Sequence, residues 1–255
     1  MKSTILFAAA CALCAAAQAA APVRVLLVGD STMATETGYG DALCARFTPE
    51  AQCLNLARGG RSSKSFRAEG RWDEVQDLLR HAQGFARTYV LIQFGHNDQP
   101  GKPGRSTDLV TEFTPNMARY VREVQVLGGV PVLVTPLTRR SFKDGVLQND
   151  LRPWAEASLN MARQGGAAAI DLNAESFTAV QMMGEPEADT FAMAPPVAAI
   201  APGSAPAAVE PNGKPKRGFD RTHLGAKGAS YFAAMVEREL ALAVPALATY
   251  FKNEK

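Results

Sequence analysis

The sequence predicts an α/β protein built on a parallel sheet covered on both faces, and three observations carry that expectation. Short β-rich runs alternate with longer stretches of helical period, the pattern of stacked βα units. The chain has 255 residues, enough to bury roughly 70% of its unfolded surface in one domain. The clearest helical stretch carries a single apolar face, as a cover for a sheet must.

Taken from the N-terminus, Lys2 precedes an apolar, Ala-rich stretch from Ile5 to Ala17, and Ala17-Gln18-Ala19 has small residues where a signal peptidase reads. The expectation is a signal peptide over residues 1–19, a mature start at Ala20, a single domain over 20–255, and a periplasmic or secreted product. A cytosolic N-terminal helix is the competing reading, but the stretch has no polar face before Gln18. No other segment approaches the ~20 consecutive apolar residues of a membrane span, so no membrane partner is expected. Loss of the leader leaves Cys44 and Cys53, for which an oxidising compartment favours a local disulfide over two buried thiols.

Five strands are predicted: Val23 to Val28, Cys53 to Ala57, Thr88 to Phe94, Val130 to Thr135 and Ala167 to Leu172. Helical patterns lie between them. Asp73 to Ala82 is the first, and it contains His81. In Pro115 to Leu127, Met117, Tyr120, Val121, Val124 and Leu127 share one face, and Gly128-Gly129 ends the helix. Leu151 to Arg163 runs up to Gly165-Gly166. Ala226 to Leu242 repeats Phe232, Val236 and Leu240 at spacing four. From about 185 to 217 the alternation breaks into an Ala/Pro-rich insertion, read either as a mobile segment or as a lid over the site.

The formal net charge is +2, with no sustained basic stripe, which excludes a nucleic-acid partner as the expectation. The chemistry is in the loops past the strand ends, where sites form in open α/β sheets. Ser31 follows the first strand in Gly29-Asp30-Ser31-Thr32 and is the candidate nucleophile. A serine hydroxyl needs a base and a group to orient that base. His223 supplies the first and Asp220, three residues earlier, the second; alone, this spacing reads equally as a helix-entry turn capped by Asp. An ester's tetrahedral oxyanion needs preorganised donors, and the candidates are the Ser31 and Gly60 amides and the Asn97 side chain. Each of Gly59-Gly60 and Asn97-Asp98 also reads as an ordinary turn.

These blocks, Gly29-Asp-Ser31-Thr, Gly60 within Asn55-Leu-Ala-Arg-Gly-Gly60-Arg-Ser, Gly95-His-Asn97-Asp and Asp220-Arg-Thr-His223, resemble the four motif blocks of the SGNH (GDSL-type) hydrolases. Gly60-Arg61-Ser62-Ser63-Lys64-Ser65-Phe66 together with Gln93-Phe94-Gly95-His96-Asn97-Asp98 is similar to the rhamnogalacturonan acetylesterase family, which deacetylates pectin. The resemblance implies a flavodoxin-like three-layer α/β/α sandwich, with Ser31, Asp220 and His223 as catalytic residues, Gly60 and Asn97 as oxyanion donors, and neither metal nor cofactor. The long insertion before Asp220 departs from the family pattern.

Asp30 reads as a tie for the nucleophile turn and His96 as a holder of its own loop. Arg58, Arg61, Lys64, Arg67 and Arg71 crowd the segment after the second strand. They read either as a solvated basic face, with Arg61 in a local salt bridge, or as recognition of uronate carboxylates, with Arg61 and Arg67 as the substrate-binding candidates. The expected activity is removal of O-acetyl groups from an acidic polysaccharide. The alternatives are a lipase, thioesterase or arylesterase on the same chemistry, for which Met182, Met183, Phe191 and Met193 would supply an apolar lid, and a non-catalytic carbohydrate-binding protein.

Overall fold

The computed structural model describes residues 21–194, 208–209, 215–216 and 219–252. The expected leader over 1–19 and most of the 185–217 segment lie outside the described residues. In chain order the elements are β1 (Val23–Gly29), α1 (Gly40–Cys44), β2 (Ala51–Asn55), α2 (Ser65–Ala68), α3 (Arg71–Arg80) and β3 (Arg87–Gln93). A π-helical turn (Leu109–Phe113) then opens α4 (Thr114–Val126), followed by β4 (Val130–Val134), β5 (Phe142–Lys143), β6 (Val146–Leu147), α5 (Arg152–Gly165) and β7 (Ala168–Ile170). The remainder is α6 (Leu172–Asp189), β8 (Ala208–Val209), β9 (Pro215–Lys216), α7 (Ala226–Ala243) and α8 (Pro245–Ala248).

Five strands make one parallel sheet in the order β2-β1-β3-β4-β7, which is the flavodoxin-like order. From β1 the chain steps outward to β2 and then returns past β1 to β3, so the order reverses at the carboxyl ends of β1 and β3. The crevice at such a reversal is where ligands bind in open sheets, and both Ser31 and Asn97 lie there.

Alternation along the buried strands builds the three layers. Val25 and Leu27 of β1 point to one face, where Leu43 of α1, Val180 of α6, Phe232 and Val236 of α7 and Leu247 of α8 cover them. Leu26 and Val28 point to the other, against Trp72 and Val75 of α3, Met117 and Val121 of α4 and Met161 of α5. Each such fully buried side chain contributes about 1.5–3 kcal/mol of transfer free energy. The apolar face expected on Pro115 to Leu127 is the face that α4 buries.

The five expected strands all form, with ends displaced by a residue or two. β2 stops at Asn55 because its Oδ1 accepts the Ala57 amide and turns the chain. β7 stops at Ile170 because Asp171 caps α6, its carboxylate accepting the Ala174 amide at 3.2 Å. The sequence pattern did not announce α6. Its helical backbone breaks at Gly184 (φ 75°), and residues 185–194, where the insertion was expected to begin, continue as helix and turn with Phe191 packed on Phe232 of α7. Cys44 and Cys53 form a disulfide. No helix among the described residues is long and apolar enough to cross a membrane.

Candidate active site

Ser31 sits in a tight turn just beyond β1. Asp30 is fully buried beneath it and accepts the Thr32 amide at 2.9 Å and the Thr32 hydroxyl at 2.8 Å, while its carbonyl accepts the Met33 and Ala34 amides. Burial alone would raise the Asp30 carboxyl; the neighbouring His96 and the Thr32 bonds hold it below its ordinary value. The Thr32 hydroxyl in turn accepts from Gln93 of β3 at 2.7 Å, and Gln93 accepts from the Tyr39 hydroxyl at 2.7 Å. A buried polar chain therefore fixes the nucleophile turn to the sheet.

The segment after this turn folds back on it. A Cβ at Gly38 would lie 2.3 Å from the Thr32 carbonyl group, so only glycine allows the approach. Thr37 donates its hydroxyl to the Ser31 carbonyl at 2.7 Å, and its own carbonyl accepts the Leu224 amide at 2.9 Å. Thr37 thus joins the serine turn to the histidine turn.

Ser31, 5% exposed, has its Oγ 2.8 Å from His223 Nε2, and His223 Nδ1 is 2.7 Å from Asp220 Oδ2. The other oxygen of Asp220 accepts the Thr222 amide at 2.9 Å and the His223 amide at 3.1 Å. Burial opposes ionisation of Asp220, but its hydrogen bonds to His223 and Thr222 outweigh that and hold the carboxyl well below the usual range. An ionised Asp220 on Nδ1 leaves Nε2 as the lone-pair nitrogen facing Ser31. Asp220 and His223 are a local pair, and His223 stands 192 positions from the serine it faces.

Arg140, which sequence reasoning did not single out, secures that turn. It is 0% exposed, and its guanidinium donates to the carbonyls of Asp220 (3.2 Å), Thr222 (3.5 Å) and His223 (2.8 Å). Burial lowers Arg140 to about 10, so the buried group remains a cation at neutral pH beside Asp220. Arg221 clasps the turn from outside, donating to both oxygens of Asp189 at 3.0 Å and pairing with Glu185.

The oxyanion candidates lie on the loops after β2 and β3. Gly60 has φ 78°, a conformation that favours glycine, and a Cβ built at Gly59 would be 3.7 Å from that of Ser31. The Asn97 side chain donates to the Arg61 carbonyl at 3.1 Å and its Oδ1 accepts from Arg105 at 3.4 Å. Asp98 binds the two loops together, accepting the Ser63 amide at 3.1 Å, the Ser63 hydroxyl at 2.5 Å and the Thr107 hydroxyl at 3.0 Å. Burial pushes its carboxyl up to about 6 despite these bonds. His96 is 2% exposed, its Nδ1 is 3.3 Å from Asp30, and burial lowers its basicity. It lies in the support of the site, apart from the proton path. His81 is an exposed residue at the end of α3.

The two expected substrate-binding arginines are held by the protein itself. Arg61 donates to Glu69 at 2.9 Å and to the Gly59 carbonyl at 2.7 Å. Arg67 binds both oxygens of Glu123 at 2.9 Å and lies over the Tyr120 and Trp72 rings. Among the described residues no group of three or more His, Cys, Asp or Glu is placed to hold a metal ion. The arrangement can transfer an acyl group: hydroxyl, imidazole and carboxylate lie in line.

Residues 27–231 match the GDSL-like lipase/acylhydrolase family. The chain is 30% identical over 177 residues to the probable rhamnogalacturonan acetylesterase YesY of Bacillus subtilis, covering 67% of this chain and 79% of that one. It is 31% identical over 174 residues to the rhamnogalacturonan acetylesterase RhgT of the same organism, covering 65% and 72%. The crystal structure of YxiM from Bacillus subtilis superposes with a TM-score of 0.65 at 20% identity, over 87% of this chain and 56% of that one.

Proposed function

The chain belongs to the GDSL-like lipase/acylhydrolase family and is a carboxylic ester hydrolase, and from that premise we propose that it removes O-acetyl groups from acetylated rhamnogalacturonan. The observation that carries the chemistry is the unbroken line from Ser31 Oγ through His223 to Asp220, at 2.8 and 2.7 Å. The acetyl and polysaccharide halves of the reading are supported by the likeness to YesY and RhgT.

In this mechanism Ser31 Oγ attacks the acetyl carbonyl carbon while its proton passes to His223 Nε2. The carbonyl oxygen becomes an oxyanion that accepts from the Ser31 and Gly60 amides and from the free Nδ2 hydrogen of Asn97. As the tetrahedral intermediate collapses, the sugar oxygen leaves with the proton from Nε2, and Ser31 carries the acetyl group. Water then attacks the acetyl-enzyme, giving its proton to Nε2; acetate departs and Oγ recovers the proton. Ionised Asp220 stabilises the imidazolium formed in each half.

Acetate release compared across acetylated rhamnogalacturonan, acetylated xylan and aryl acetates tests this. Acetylated rhamnogalacturonan should give the highest kcat/KM, and Ser31→Ala should lose roughly 10⁴-fold or more on every substrate. Substantial activity in Ser31→Ala would remove the nucleophile, and a preference for long-chain p-nitrophenyl esters would replace the polysaccharide by a lipid. We further place the protein outside the cytosol, a reading supported by the leader-like N-terminus and by the Cys44–Cys53 bond.

A further inference from the structure

The cations along the Gly60–Asn97 edge differ in how they are neutralised. Arg61 and Arg71 pair with Glu69 at 2.9 and 3.3 Å, Lys64 with Glu112 at 2.8 Å and Arg67 with Glu123 at 2.9 Å. Arg105 has no such partner among the described residues. Its Nη1 lies 3.4 Å from the Gly60 carbonyl and 3.4 Å from Asn97 Oδ1, two long contacts to neutral oxygens made by one arm of a five-donor fork.

The side chain is half-buried and its loop is fixed. The Arg105 amide donates to the Lys102 carbonyl at 3.0 Å, Ser106 Oγ donates to the Gln99 carbonyl at 2.8 Å, and the Thr107 amide donates to the Asp98 carbonyl at 2.9 Å. A cation drawn partly out of water without a counter-charge carries a desolvation cost that an arriving anion would offset. Contact with both Gly60 and Asn97 sets it beside two of the groups that would receive the acetyl oxygen.

We propose that Arg105 binds a uronate carboxylate of the glycan that carries the ester, and so selects acetyl esters on acidic glycans over neutral ones. The guanidinium fork suits this, since it meets a carboxylate with two parallel N–H bonds. The inference rests on the polysaccharide reading above for its substrate, and on the geometry of Arg105 alone for its anion site.

The test compares wild type, Arg105→Gln and Arg105→Lys on acetylated galacturonate oligomers, acetylated xylo-oligosaccharides and p-nitrophenyl acetate. Inhibition of p-nitrophenyl acetate hydrolysis by acetyl-free oligogalacturonate is measured alongside. In Arg105→Gln, KM on the acidic ester and the inhibition constant of oligogalacturonate should rise about 10–100-fold. Losses on the neutral esters should be at least about tenfold smaller, and Arg105→Lys should recover part of the inhibition through charge without the fork. Added salt should weaken inhibition of the wild type more than that of Arg105→Gln. Equal losses on acidic and neutral esters, or an inhibition constant that does not move, would overturn the proposal and leave Arg105 as a support for Asn97. A wild type that cleaves the aryl acetate but no acetylated glycan would remove the polysaccharide reading, and the inhibition constants would still decide the anion site.

Discussion

Asn97 spends one Nδ2 hydrogen on the Arg61 carbonyl, which leaves the other to meet an oxyanion. Asn97→Ala should therefore lower kcat on p-nitrophenyl acetate by about 10²–10³ with little change in KM; an unchanged kcat would take Asn97 out of the oxyanion pocket. Arg140 acts one step further back, through the three carbonyls it holds. Arg140→Met leaves those groups without their donor and should cost about 2–4 kcal/mol in urea unfolding. It should also reduce kcat more than KM, with Arg140→Lys intermediate. Ser31, Gly60, Asn97, Asp220 and His223 were legible because each occurs in a short block whose neighbours signal its backbone. Arg105 and Arg140 were not. Arg105 reaches 45 positions to Gly60 and Arg140 80 positions to Asp220, and no local pattern encodes such a meeting.

At the scale of elements, the buried strands were readable because a parallel strand covered on both faces is a continuous apolar run, as Val23 to Val28 shows. α6 escaped for the opposite reason. It contains Gly184 and Pro186 and turns through a kink, so its apolar residues keep no single face over its length. The segment from 185 looked structureless, yet Glu185 and Asp189 both engage Arg221, a role that composition alone conceals. The Cys44–Cys53 bond ties α1 to β2 across a sequence separation of 9 residues. Loop-closure entropy for so short a ring gives about 2–3 kcal/mol. Urea unfolding of the Cys44→Ser, Cys53→Ser double variant should show a loss of that order, while kcat on an aryl acetate is measured beside it to show whether the site notices.

For the whole molecule, acid sets a boundary. The folded protein holds the Asp220 carboxyl below its ordinary value, so its contribution is complete above the ordinary carboxylate range and is lost as pH falls toward the folded-state value. The stability advantage of wild type over Asp220→Asn in urea should accordingly be present above the ordinary carboxylate range and shrink as pH falls below roughly 4; a gap that stays undiminished to the lowest pH at which the protein folds would contradict the assignment. Thr37, whose hydroxyl reaches Ser31 and whose carbonyl receives Leu224, also orders events in time. The serine turn, Gly60 and Asn97 precede residue 223 in the order of synthesis, so Ser31 is made long before the imidazole it faces. Ser31 therefore has no base until the chain has reached His223 and Leu224 has met the Thr37 carbonyl.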